Sequence, residues 1–120
     1  MELKVSNEGK FHIIQVIGDL DASSSILLDN ALEEAITTNT KSILIDCAEL
    51  HYISSPGIGA FTSRLEECIE KNITMVLFGL NDKIVNVFGI LGLDQLIMIK
   101  ISKDDAKDHI NDAQFTSALH

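Results

Sequence analysis

The spacing of apolar residues changes period several times along the chain. Leu3 to Ser6 alternates weakly, Glu8-Gly9-Lys10 reads as a turn, and Phe11 to Ile17 is rich in β-branched residues, which predicts two short strands. Strands joined this tightly pair antiparallel. Gly18-Asp19-Leu20-Asp21 breaks the pattern. From Ser24 to about Thr38 the period becomes helical, with Leu28, Leu32, Ala35 and Ile36 on one face, Leu27 and Ala31 beside it, and Asp29, Asn30, Glu33 and Glu34 opposite. Ser23, Ser24 or Ser25 offers a hydroxyl to cap that helix.

Ser42 to Asp46 is a continuous apolar run, as expected of a strand buried on both faces. A second helix is predicted from about Pro56 to Lys71, with Ile58, Phe61, Leu65, Cys68 and Ile69 inward and Arg64, Glu66, Glu67 and Glu70 in water. Thr74 to Phe78 is the next buried strand. Asp82 to Leu91 follows as a short helix that turns Ile84, Val85, Phe88 and Leu91 inward. Leu96 to Ile101 is a last strand, and Lys103 to about Ala113 a polar helix. The order β-β-α-β-α-β-α-β-α predicts an α/β fold: a mixed, mostly parallel sheet with an N-terminal β-hairpin and about four helices. One domain is expected over residues 1–113, with residues 114–120, from Gln114, as a loose tail.

Composition narrows the function. A chain of 120 residues with 46% hydrophobic residues holds one domain with a core of its own. It carries 18 acidic against 9 basic residues, a net charge of -9. Phosphate backbones and anionic membrane surfaces both select cationic proteins, so neither nucleic acid nor direct membrane binding is expected. Cys47 and Cys68 are too few for a disulfide framework, lack metal-ligand spacing, and sit in apolar stretches as small buried hydrophobes do. No basic-then-apolar leader and no apolar run of ~20 residues is visible, so a soluble, cytoplasmic domain is expected.

Candidate chemistry lies where strands end and helices begin. Ser54-Ser55-Pro56-Gly57-Ile58-Gly59 is the richest such junction. Proline suits the first position of a helix, which puts Ser55 at the N-cap, beside unpaired amides that favour an anion such as a phosphate. Gly57 and Gly59 leave the first turn bare, so a second molecule could approach the backbone. The plainer reading is that Ser-Pro is a structural cap. There is no dinucleotide fingerprint and no P-loop lysine. Asp19 and Asp21 have an equally ordinary reading as partners of a helix dipole. Asp46 reads as a strand-end cap and Tyr52 as a core aromatic. His12, His51, His109 and His120 are scattered without a nucleophile or metal-ligand spacing.

Leu44-Ile45-Asp46, followed by Leu50-His51-Tyr52-Ile53-Ser54-Ser55-Pro56-Gly57-Ile58-Gly59, resembles the central signature of STAS domains, closest to the bacterial anti-sigma-factor antagonists. Gly18-Asp19-Leu20-Asp21-Ala22 resembles their loop after the second strand, and Gly79 to Leu96 their third-helix region. The resemblance runs from roughly Lys4 to Ile110 and implies a STAS-like single domain. In such antagonists the helix opens with Asp-Ser-Ser-Gly or Asp-Ser-Thr-Gly, and the serine after the aspartate is phosphorylated by a partner anti-sigma factor that is itself a serine kinase. By position that serine is Ser55, with Ser54 as the second choice. Ser54 stands where the family has aspartate, and Pro56 where it has a second hydroxyl residue.

The resemblance thus implies a binding module that is not an enzyme and carries no cofactor. It would dock on the anti-sigma kinase through Asp19, Asp21, Ser54, Ser55, Gly57 and Gly59. Phosphorylation would switch it off and a phosphatase would reset it. The alternative within the fold is a scaffold or transporter-associated STAS subunit without a switch. An alternative outside it is a small enzyme or receiver that holds a metal with Asp19, Asp21 and Asp46.

Overall fold

In the computed structural model, which describes residues 1–118, a six-stranded mixed sheet carries four α-helices among the described residues. In chain order the elements are β1 (Glu2–Glu8), β2 (Phe11–Leu20), α1 (Ser25–Thr37), β3 (Ser42–Asp46), β4 (Leu50–Ile53), α2 (Ser55–Glu70), β5 (Thr74–Phe78), α3 (Asp82–Ile90), a 3-10 turn at Leu93–Gln95, β6 (Met98–Lys100) and α4 (Lys103–Ala118). β1 and β2 form the expected antiparallel hairpin, and β3, β5 and β6 extend the sheet in parallel in the order β1-β2-β3-β5-β6.

Alternate residues of the central strands feed two cores. Ile14, Val16, Ile43, Ile45, Met75 and Leu77 pack under α1, α2 and α3, where Leu28, Leu32, Phe61 and Phe88 are fully buried. Phe11, Ile13, Leu44, Val76 and Phe78 face α4, which contributes Ala106 and Ile110, one turn apart. Glu8 joins α4 to the hairpin by accepting from Lys103 at 2.8 Å and Lys107 at 2.7 Å, which hold its carboxyl down at about 2.

The structure departs from the sequence reading in several places, among them the last strand, which is Met98–Lys100 rather than Leu96 to Ile101. β2 does not stop at Ile17 but runs on through Leu20, because its end has a partner in β4, a strand the pattern did not reveal. Val85 and Leu91 are exposed, since the short α3 lays only the Ile84–Phe88 stripe on the sheet. Ile69 is exposed on the last turns of α2. Tyr52, read as a core aromatic, is 54% exposed. α4 continues past Ala113 to Ala118, because Gln114 donates to the buried Ser42 hydroxyl at 2.7 Å and accepts from Lys10 at 2.7 Å. The segment expected as a loose tail therefore begins inside a helix, and residues 119–120 lie outside the described residues.

Candidate functional site

The two junctions singled out in the sequence meet at one end of the sheet. Over His12–Gln15, β2 pairs with β3; at Gly18 it changes partner to β4. Within the new pairing the register shifts between Gly18 and Asp19, with Gly18 at φ +96°, a conformation that glycine adopts without strain. Gly18 N–H donates to the Glu49 carbonyl at 2.9 Å. Beyond the shift, Asp19 lies opposite Tyr52 and Leu20 opposite Ile53.

Leu20 then holds the start of α2 in two ways. Its carbonyl accepts from Ser54 N–H at 2.8 Å. Its fully buried side chain occupies the space beside Gly57, where a Cβ would lie 2.9 Å from Leu20 Cγ and 3.0 Å from the Leu20 carbonyl oxygen. Gly57 is buried and is bare for its own chain, which corrects the expectation that a second molecule reaches it. Gly59 fits that expectation better, as a Cβ there would meet nothing within 4 Å.

The cap sits one residue earlier than the sequence suggested. Ser54, with extended backbone, is the N-cap, and its Oγ accepts from Gly57 N–H at 3.1 Å. Ser55 is the first residue of α2 and Pro56 the second, where the missing N–H costs no intrahelical bond. Ser54 is half-buried and its oxygen engaged. Ser55 is exposed, and its hydroxyl has no hydrogen-bond partner among the described residues.

Asp21 closes the turn ahead of α1. Its Oδ1 accepts from Ser24 N–H, Ser24 Oγ and Ser23 Oγ, each at 2.9 Å, and its own N–H donates to Ser24 Oγ at 2.8 Å. These donors hold its carboxyl down at about 2, the Ser24 backbone N–H first among them. Of the three capping candidates, Ser24 takes the N-cap position of α1, but its hydroxyl serves this turn rather than the helix amides. Asp19 is exposed, and no hydrogen bond or ion pair engages its carboxylate among the described residues.

α1 and α2 are locked side by side by the chain's one arginine. Arg64 forms a two-pronged bond with Asp29 at 2.8 and 2.9 Å and reaches Glu67 at 3.2 Å, contacts that raise its own affinity for the proton. Between the N-terminal halves of the two helices runs a shallow groove of about 290 Å³, lined by Ser25, Ile26, Asp29, Pro56, Gly59 and Ser63. Ile26 is 63% exposed at its rim. Sequence reasoning passed over Leu20, Tyr52 and Arg64 as site-building residues. A lone arginine among acidic helix faces was the only one of these with a signal to read.

The other candidates stand apart. Asp46 accepts from Ala48 N–H at 3.0 Å as a strand-end cap, and among the described residues no three His, Cys, Asp or Glu side chains gather as metal ligands. The metal site of Asp19, Asp21 and Asp46 is therefore not assembled. Cys47 and Cys68 are buried, and burial raises both thiols above their ordinary range. No helix among the described residues is long and apolar enough to cross a membrane.

Known proteins match this arrangement over nearly the whole chain. The STAS domain profile matches residues 2–107. An anti-sigma-B factor antagonist of Listeria monocytogenes is 31% identical over 101 residues, which cover 83% of this chain and 89% of that protein. An anti-sigma factor antagonist from Mycobacterium paratuberculosis superposes with a TM-score of 0.84 at 15% identity, over 92% of this chain and 93% of that one. The phosphorylated form of SpoIIAA, a Bacillus cell fate determinant, superposes with a TM-score of 0.70 at 19% identity, over 91% of this chain and 99% of its own. With its β-hairpin, its clasped helix start and these relatives, the chain belongs to the STAS domain family, in the group that includes the anti-sigma-B factor antagonists.

Proposed function

We propose that this protein is an anti-sigma-factor antagonist that binds an anti-sigma serine kinase and is switched off by phosphorylation of Ser55. The observation that carries the reading is the division of labour between two adjacent serines. Ser54 spends its oxygen on the cap of α2, while Ser55 presents an unbonded, exposed hydroxyl on the same helix start. The Listeria relative's name and the phosphorylated SpoIIAA fold support the assignment.

In this reading the unphosphorylated protein docks through Asp19, Asp21, Ser55 and Gly59, with Ser54 and Gly57 holding that face in shape from below. Docking occupies the kinase and releases its sigma factor. In the complex, Ser55 Oγ attacks the γ-phosphorus of ATP, the bond to the leaving ADP breaks, and the hydroxyl proton passes to a base of the kinase. The product carries roughly two added negative charges, next to Asp19 and Asp21 in an interface formed around a neutral hydroxyl. Like-charge repulsion and desolvation then separate the partners. A phosphatase restores the hydroxyl. The protein itself is a cytoplasmic binding module that performs no catalysis and uses no cofactor.

The test mixes purified protein, its cognate kinase and ATP, then maps phosphate by mass spectrometry while following the complex by size. The expected result is one phosphate on Ser55 and loss of the complex. Phosphate on Ser54 alone would move the acceptor by one residue. No phosphate on either, with Ser55→Glu binding as well as the native chain, would leave a STAS scaffold without a switch. Ser54 and Pro56, which replace the family's aspartate and second hydroxyl residue, make that outcome the one to compare.

A further inference from the structure

At the end of α2 remote from Ser55 lies an apolar groove that the proposed docking face does not use. Ile69 belongs to the stripe expected to point inward, yet it is 65% exposed; Leu96 is 63% and Met98 38% exposed. With Leu65 and Ile73 they line a hollow of about 240 Å³ between the last turns of α2 and strand β6. At 1.5 Å per helical residue, Ile69 stands about 20 Å from Ser55.

Two further features converge on this groove. β6 is an edge strand of the sheet, at the end of the order opposite β1. The Lys100 carbonyl faces inward, accepting from Gly79 N–H at 3.3 Å, so the intervening Ile99 turns its N–H and C=O to the open edge. The groove's one charged lining residue is Asp94, and Glu66 and Glu70 flank Ile69 on the exposed surface of α2. None of these three carboxylates has an ion-pair partner among the described residues.

We propose that the β6 edge and this groove take an extended, basic and apolar segment of a partner protein, laid beside β6 as an added strand. Ile99 supplies one donor and one acceptor, alternate apolar side chains of the segment enter between Ile69, Leu96 and Met98, and cations at the ends of the segment meet Asp94, Glu66 and Glu70 on the groove side. Because β6 is only three residues long, the groove contributes more of the contact than the backbone does. The net charge of -9 disfavours a second copy of this chain and favours a cationic occupant. The site is remote from Ser55, so it fills independently of the state of that hydroxyl.

The experiment titrates the full chain with a short synthetic peptide that carries valine at alternate, groove-facing positions and lysine at its two ends, read by backbone-amide NMR shifts and fluorescence anisotropy. Shifts are expected at Ile97, Ile99 and Ile101, with affinity lowered about tenfold or more by Ile69→Ser or Leu96→Ser, both on exposed side chains. N-methylation of the alternate peptide residues that face β6 should abolish binding, while methylation of the other set should not. Ser55→Glu should bind the peptide as the native chain does, whatever the outcome with the kinase. Equal binding of the same peptide with glutamate in place of its terminal lysines, indifference to which set is methylated, or loss of binding in Ser55→Glu would overturn the proposal. So would a dimer in sedimentation that Ile99→Pro dissolves, because the occupant would then be a second copy.

Discussion

Ser54 N–H donates to the Leu20 carbonyl at 2.8 Å, and through this contact the end of β2 fixes where α2 begins. The Leu20 side chain adds to it by filling the place of the missing Gly57 Cβ. The acidic turn after β2 and the exposed Ser55 hydroxyl are thereby held on one rigid frame.

Gly57→Ala should destabilise the fold by about 1–3 kcal/mol, since its Cβ must displace Leu20 or lift the first turn of α2. Gly59→Ala should stabilise it by roughly 0.5–1 kcal/mol, because open space surrounds that position and alanine favours a helix. Urea melts of the two variants test the contrast. Equal effects would mean that Leu20 does not clamp the helix start.

The adjacent serines should divide stability from signalling. Ser54→Ala removes the cap and should cost about 1 kcal/mol, while Ser55→Ala should stay within about 0.5 kcal/mol of the native chain. Kinase assays should rank them in reverse: Ser54→Ala still accepts phosphate, whereas Ser55→Ala does not and keeps the kinase bound. Thermal melts beside phosphate mapping read both halves.

Asp19 and Asp21 should respond differently to the same substitution. Asp19→Lys, on an exposed and unpaired carboxylate, should weaken kinase binding with little change in melting temperature. Asp21→Lys should weaken binding and also lower the melting temperature, because Ser23 and Ser24 lose their acceptor. Asp21→Asn keeps an acceptor oxygen and should recover most of the stability. Calorimetry together with binding titration separates the two roles.

Glu8 and Asp21 give stability a defined acid limb. Folding lowers both carboxyls to about 2, from 4.5 for Glu8 and 3.8 for Asp21. A group lowered by folding contributes stability above its unfolded value and loses it as pH falls toward its folded value. The loss should therefore develop below about pH 4.5 and be complete near pH 2. Glu8→Gln should flatten part of this slope, and added salt should shrink the Glu8 part because the Lys103 and Lys107 pairs are solvent-exposed. Urea midpoints across that pH range measure it, and a slope that Glu8→Gln leaves unchanged would assign it to other groups.

Elements whose apolar pattern is long and regular were legible in the residues alone: the hairpin, α1 with Leu28, Leu32 and Ala35, the apolar β3 and β5, and α2 behind Phe61 and Cys68. So were the two junctions that form the candidate site. Their residues are short, polar or glycine, and such residues interrupt a periodic pattern visibly. Strand β4 was not legible, because its burial follows no alternation: Leu50 is buried, His51 and Tyr52 are exposed, and Ile53 is intermediate.

What the tertiary structure decided was the set of pairings between distant segments. Only the turn of β2 from β3 to β4 at Gly18 makes Leu50–Ile53 a strand, exposes Tyr52 opposite Asp19, and brings Leu20 against Gly57. The one-residue shift of the cap from Ser55 to Ser54 has the same origin, since the Leu20 carbonyl captures the Ser54 N–H and sets the first residue of α2. Local propensity depends on neighbours a few residues away. A hydrogen bond between β2 and the start of α2 depends on where the whole sheet has placed both, and no window of sequence contains that placement.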